Sequence, residues 1–446
     1  MASSAESLTQ SLNFSAFSKA TELKNRILFA LLALIVYRIG TFIPVPGIDP
    51  SLLGEIFAKH GGGIMDMFNM FSGGALGRMT IFALGVMPYI TASIIVQLLS
   101  AILPAFESLK KEGEQGRIRL NQYARYLTVF FAAVQSYALA VGLENMMGTH
   151  GSAVIMSGMF FRISTMITLT GGAVFLMWLG EQITARGIGN GTSLIIYAGI
   201  VANLPRAVGQ TLEMGRTGAL STWFILVIMA VIVGVLAVCV ACERAQRRIL
   251  IQYPKRQVGN KMFGGDSSHL PLKINTSGVI PPIFASSLLL FPLTLASFSG
   301  LQEKGGIIAD IVAQLGHGKP LFMVLYAALI AFFAFFYTAV VFNPADTADN
   351  LKKYGGFVPG IRPGKNTADY FDYVLTRLTV LGALYLIGIC LLPEFLMGRG
   401  AIPFYLGGTS ILIVVSVTID TISRIHAHLI SHQYEGLIKK SKLRGR

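Results

Sequence analysis

Cys239 and Cys242 form a C-x-x-C, the spacing of a redox dithiol or half a zinc site. They close an apolar segment, and no second ligand pair faces them. Cys390 stands alone in another apolar segment, so all three read as buried structural thiols. His426, His428 and His432 cluster near the C-terminal end. Only His428 and His432 are four apart, and no acidic residue is placed as in a helical zinc site. They read as interfacial polar residues at the end of the last apolar segment. Asp346 and Asp349 share a loop with Lys352 and Lys353, the pattern of a solvated charged turn. Asp420 lies inside an apolar segment, where an ion-coupled transporter would keep a carboxylate. Its place in the second half of the last segment favours snorkelling or helix pairing. No G-x-x-x-x-G-K-[S/T] phosphate loop occurs. No catalytic constellation is assembled, and neither an enzyme, a metal site nor a cofactor is expected.

What the chain offers instead is repetition. Residues 85–93 read G-V-M-P-Y-I-T-A-S, and 278–286 read G-V-I-P-P-I-F-A-S. Residues 191–196, G-T-S-L-I-I, are echoed at 408–413, G-T-S-I-L-I. Paired Gly- or Pro-interrupted apolar segments in two halves of a membrane protein point to the pathway through its middle. Val86 and Ile90, and Thr192 and Ile196, are four apart; Ile280 and Ile283 are three apart. Each pair therefore shares a helix face.

The elements that carry these residues must cross a membrane. Hydrophobic residues make up 53% of the chain and charged ones 13%, against about 25% charged in soluble domains. The first twenty residues are polar and Ser-rich, so no cleavable signal peptide is expected. Ten spans are expected, at about 24–43, 79–106, 126–143, 163–180, 187–205, 217–242, 274–302, 320–345, 378–393 and 400–419. Arg38 lies inside the first. Lys and Arg total 24 on the N-terminal tail, alternate loops and C-terminal tail, and 7 on the other loops. The positive-inside rule then puts both termini in the cytoplasm, and the net charge of +14 is largely orientation signal. Five spans per half is odd, so the repeat is inverted about an axis in the membrane plane. The organisation expected is a tail over 1–23, halves over 24–205 and 206–432, and a basic tail over 433–446. The fold class is all-α and polytopic. Residues 64–76 are apolar but too short to cross, and glycines flank them. They read as an interfacial helix or re-entrant turn or, more sharply, as a small mobile element on glycine hinges.

These stretches together resemble the SecY family, the large subunits of the bacterial Sec protein-translocation channel. The resemblance runs through F-N-M-F-S-G-G-A-L (68–76), M-P-Y-I-T-A-S-I-I (87–95), K-K-E-G-E (110–114), G-E-Q-I-T (180–184) and R-G-I-G-N-G (186–191). It continues through H-L-P-L-K-I-N (269–275), V-F-N-P-A-D-T-A-D-N-L-K-K (341–353), F-V-P-G-I-R-P-G (357–364) and P-F-Y-L-G-G-T-S (403–410). It covers about residues 20–440.

The resemblance implies ten helices in two inverted five-helix halves around an hourglass pore. By motif position the waist is a ring of Val86, Ile90, Thr192, Ile196, Ile283 and Ile413, with Thr192 departing from the aliphatic pattern. A plug helix beneath it includes Ile64, Met65, Phe68, Met70, Phe71, Ser72, Gly73 and Gly74. Spans two and seven form a lateral gate, where Ser93, Gln97, Asn275, Ser286 and Ser287 are candidate polar groups. The loops 244–277 and 343–369 dock partners through Arg247, Arg248, Lys255, Arg256, Lys352, Lys353 and Arg362. The implied partners are SecE and SecG, the SecA motor ATPase, the ribosome through its RNA phosphates, signal peptides and nascent chains, and lipid. The implied location is the bacterial inner membrane. An inverted-repeat transporter for a small solute is the alternative, and it requires a charged midplane site.

Overall fold

The computed structural model describes residues 21–49, 52–53, 69, 71–145, 147–148, 151–152, 154–155, 157–218, 221–253, 256–258, 261–263, 267–298, 314, 319–398 and 408–444. Twelve helices carry the architecture among them. They are α1 (Thr21–Gly40), α2 (Met87–Ile102), α3 (Pro104–Lys111), α4 (Glu114–Asn145), α5 (Met159–Arg186), α6 (Gly191–Arg216), α7 (Thr222–Arg244), α8 (Ile280–Phe298), α9 (Pro320–Val341), α10 (Pro344–Lys353), α11 (Lys365–Gly398) and α12 (Gly408–Arg444).

Seven helices among the described residues are long and apolar enough to cross a membrane, or eight if the bent pair α2–α3 is one span. Two expected spans fall short for visible reasons. Helix α1 carries Glu22, Lys24, Arg26 and Arg38. The described apolar part of α8 is only Ile280–Leu289. Helix α7 is the most lipid-like, with Trp223, Leu226, Val227 and Val233 all more than half exposed. A helix apolar all round needs an apolar surrounding.

Helix neighbours run in the same order along both parts of the chain. Helix α2 packs on α4, α4 on α5, and α5 on α6. Helix α8 packs on α9, α9 on α11, and α11 on α12. The two sets meet where α2 touches α8 and where α6 touches α12.

Several charges within or beside the apolar segments have partners among the described residues. Arg125 of α4 grips Glu181 of α5 with two bonds of 2.9 and 2.8 Å. Arg162 of α5 bonds Glu144 of α4 at 2.7 Å, and Glu144 also accepts from the Gly158 backbone at 2.8 Å. Arg38 donates to the Gly73 carbonyl at 3.0 Å. Arg377 lies 4.0 Å from the centre of the Tyr373 ring. Arg424 pairs with Asp420 one turn away at 2.8 Å. A charge held this way loses much of its cost in an apolar setting. The two clamps on α4 and α5 lie nineteen residues apart on each helix, or about 28 Å at helical rise. The Glu144 side chain is 7% exposed, so its clamp is the drier. Glu144→Arg should lower the thermal midpoint of the purified chain, and adding Arg162→Glu should restore most of it. A double variant no better than the single would refute the pairing.

Several expected boundaries need correction. The span expected over 79–106 is helical only from Met87 to Ile102. Residues 72–79 and 81–86 are turns, and Gly85 stands at φ +58, a left-handed conformation that stops a helix from starting earlier. At Leu103 the chain turns by 101° into α3. The span expected over 187–205 is helix α6, which begins at Gly191 and runs on past Pro205 to Arg216. Asn190 starts it, its side chain accepting from the Thr192 and Ser193 amides, a standard N-cap. Helix α11 begins at Lys365, thirteen residues before the charge-free run at 378.

The all-α expectation also needs correction, because the loop 244–277 holds strands. β3 (Gln246–Gln252) pairs antiparallel with β6 (Ser267–Lys273), and β4 (Arg256–Val258) with β5 (Lys261–Phe263). Two further short strands, β1 (Met147–Gly148) and β2 (Gly151–Ser152), pair after α4. The β3–β6 ribbon is seated on α11. Ile249 and Leu272 share a buried apolar cluster with Val358, Phe371, Val374, Leu375 and Leu378. Gln252 and Phe357 exchange two backbone bonds of 2.9 Å, joining the two long loops.

Candidate functional site

The repeated segments open helices in the same way. Gly85 and Gly278 both take left-handed backbone, at φ +58 and +63. Two residues after each, a Pro-containing helix begins, α2 at Met87 and α8 at Ile280. Gly191 and Gly408 head α6 and α12. A Cβ on Gly191 would overlap the Gly180 carbonyl of α5, and one on Gly408 the Ile389 carbonyl of α11. Only glycine permits so close a backbone approach.

Four helix starts thus bring five aliphatic side chains into one buried apolar cluster. These are Val86, Ile90, Ile196, Ile283 and Ile413, none more than 8% exposed. Thr192 differs. It is half-buried, and its hydroxyl lies against Gly180 of the preceding helix, 3.2 Å from where a Cβ there would sit. It occupies the α5–α6 contact.

The chain from Phe71 to Leu76 is packed tightly, with Phe71, Ala75 and Leu76 in the same cluster. Phe71, Ser72, Ala75 and Leu76 are at most 3% exposed. Tyr37 donates to the Ser72 carbonyl at 3.3 Å, and Arg38 and Arg78 donate to the Gly73 and Gly74 carbonyls at 3.0 and 3.1 Å. Residues 72–76 are turns, so the expected plug helix does not reach Leu76. Ile64, Met65, Phe68 and Met70 lie outside the described residues.

The seam between α2 and α8 is closed at one point by Ser287, whose hydroxyl is 3.6 Å from the Met87 sulfur. The other polar candidates turn inward on their own elements. Ser286 donates to the Ile283 carbonyl at 2.9 Å. Gln97 reaches Ser93 at 3.5 Å, and its carbonyl oxygen is buried without a partner. Asn275 does not bond across the seam: it donates to Glu243 of α7 at 2.7 Å and to the Gly278 carbonyl at 3.0 Å. Glu243 and Met87 escaped sequence reasoning. An acidic residue ending an apolar run was the available signal for the first.

Five of the basic candidates are exposed on the two long loops. Arg247 and Arg248 are exposed on β3, Lys352 and Lys353 in the last turn of α10, and Arg362 in the turn before α11. Arg256 lies in β4, and Lys255 falls outside the described residues. The Gln252–Phe357 bridge fixes both loops as one platform. Such a group of cations suits a polyanionic partner. Among the described residues no group of three His, Cys, Asp or Glu could hold a metal ion.

Comparison with known proteins agrees on one family. The SecY family model matches residues 80–422. The protein translocase subunit SecY of Rickettsia conorii is 56% identical over 430 residues, covering 96% of this chain and 99% of that protein. SecY of Escherichia coli K12 is 53% identical over 424 residues, covering 95% and 96%. A solved protein-conducting channel superposes with a TM-score of 0.67 at 18% identity, over 90% of this chain and 92% of that one. Sec61 in a canine ribosome–channel complex gives 0.64 at 18% identity, over the same shares. At that identity the two structures speak for the fold alone. With sequence likeness running nearly end to end, the chain belongs to the SecY family.

Proposed function

We propose that this chain is the pore-forming subunit of a protein translocase in the bacterial inner membrane, with ten spans in two inverted halves and both termini in the cytoplasm. The single observation that carries the reading is that Val86, Ile90, Ile196, Ile283 and Ile413, from four repeated helix starts, are all buried in one apolar cluster. A narrow apolar constriction resists wetting, so it holds back ions without a fixed charge. Aliphatic side chains part around an extended polypeptide without offering it polar contacts. The segment ending at Leu76 is the plug below the ring. The solute-transporter alternative loses its charged site, since Asp420 is half exposed and paired with Arg424.

The α2–α8 seam is the lateral gate. Among the described residues a weak hydroxyl–sulfur approach bridges it. A segment exposed there chooses between pore and lipid by partition. A central Leu favours the bilayer by about 0.3 to 0.6 kcal/mol, and a central Asp or Lys opposes it by about 3. The chain itself hydrolyses nothing; partners supply the drive.

The basic platform receives those partners: the ribosome through RNA phosphates, and the motor ATPase SecA. SecE and SecG complete the membrane complex. Arg362 is the strongest single candidate, exposed on a turn whose carbonyl accepts from the Thr367 hydroxyl at 3.0 Å. Arg362→Glu should cut motor-driven export of a secretory precursor into vesicles while leaving the complex assembled. Unimpaired export in that variant would remove Arg362 from the docking surface. Cross-linking from a cysteine replacing Ile90 to a stalled secretory chain tests the pore itself; failure to capture the chain would overturn the channel reading.

A further inference from the structure

Glu243 is a buried acid that the channel reading does not use. It is the next-to-last residue of α7 and 8% exposed. Its carboxyl accepts from the Asn275 amide at 2.7 Å. The same amide nitrogen donates to the Gly278 carbonyl at 3.0 Å, and the Ser277 hydroxyl donates to the Asn275 carbonyl oxygen at 3.2 Å. Asn275 is itself only 3% exposed. Both ends of the Asn275 amide are thus satisfied inside the protein, where a broken bond is costly.

Its position gives the network a purpose. On one side is the β3–β6 ribbon, whose register runs unbroken from Gln252↔Ser267 to Gln246↔Lys273. The Ile274 amide extends the lock by donating to the Ala245 carbonyl at 3.1 Å. The ribbon cannot flex freely because its apolar face is sunk on α11. Gly382 of α11 backs the strand exit, since a Cβ there would lie 2.9 Å from the Ile274 carbonyl. On the other side is Gly278, left-handed at φ +63, and then the gate helix α8. Between a ribbon fixed to α11 and a helix that must move, only residues 275–279 can take up the change. Hinges are short segments of this kind. The Asn275 amide holds the hinge glycine, and Glu243 holds the amide.

We infer that Glu243–Asn275–Gly278 is a coupling joint that passes partner docking on the ribbon to the gate helix α8. Glu243 acts through Asn275 and is a positioning residue; it touches no substrate. The inference rests on the docking and gate readings above. Without the network, the ribbon still presents its arginines, but α8 swings from a loose glycine and no longer reports the docked state.

The test uses the full complex in membranes, with Cys239, Cys242 and Cys390 replaced by alanine. Met87→Cys and Ser287→Cys report the closed seam by disulfide yield, and purified ribosomes are the docked probe. In the parent, ribosomes should lower the cross-linking rate. In Asn275→Ala and Glu243→Ala that response should shrink about fivefold, the low end of measured couplings, with ribosome affinity unchanged. Glu243→Gln keeps an acceptor for the amide and should retain the response. An undiminished response in both alanine variants overturns the joint. So does a loss of ribosome affinity, which would mark a merely structural role. If the parent itself shows no response, the docking-to-gate reading fails and the joint falls with it.

Discussion

Replacing Ile90 and Ile196 together with glycine should raise resting ion conductance by at least about tenfold, or about 1.4 kcal/mol off the barrier. Both side chains are nearly fully buried, at 6% and 3% exposure, and they come from different helices, α2 and α6. Removing them opens two sides of the constriction at once. Water enters a widened, less apolar waist, and ions follow. Leucine at the same two positions keeps volume and apolarity and should leave the seal intact. Efflux of a halide from vesicles holding the purified complex measures the effect. Equal leak in parent and double-glycine variants would mean that the waist lies elsewhere.

Alanine at Gly191 or Gly408 should destabilise the purified chain by about 1 to 3 kcal/mol, the usual cost of overpacking. The new methyl meets a backbone carbonyl, that of Gly180 or Ile389, which cannot swing aside as a side chain can. Helices α5 and α6, or α11 and α12, must separate. Intrinsic propensity pulls the other way, since Gly to Ala within a helix gains about 1 kcal/mol. Gly234→Ala on α7 is the control, because nothing lies within 4 Å of its added Cβ; it should be neutral or stabilising. Thermal unfolding in detergent separates the cases. Three equal responses would show that the close approach is not what the repeated glycines are for.

Most of the apolar spans were legible because their physics is local. Charge-free runs announce apolar helices, and the G-V-x-P and G-T-S echoes mark where four of them start. What lay hidden depends on contacts distant in sequence. The β3–β6 ribbon pairs residues fifteen or more apart, and only Ile249 and Ile251 of β3 are buried, so no clean alternation ran long enough to signal a strand. Helix α11 extends through Lys365, Asp369 and Asp372 because its inner face, Phe371 and Val374, packs on that ribbon. The turns over 81–86 read as span because they are apolar, yet their backbone is bonded as turns and not as helix. Asn275 was placed at the gate by motif. Its partner Glu243, 32 residues earlier, moves it to the base of α7. Thr192 looked like a gap in the seal, while its hydroxyl sits against another helix.

The paired clamps on α4 and α5 set a fixed length inside a protein that otherwise moves. Arg125–Glu181 and Arg162–Glu144 close both ends of one antiparallel helix pair, nineteen residues apart. Helices pinned at both ends cannot slide past each other to fit their surroundings. Their span of about 28 Å lies close to the roughly 30 Å hydrocarbon thickness of an ordinary bilayer. In lipids with longer chains this staple is too short to match by tilting, and the membrane must thin locally around it. Since α2 and α8 both pack on α4, strain that the bilayer puts on this pair is handed to the two helices that form the proposed gate.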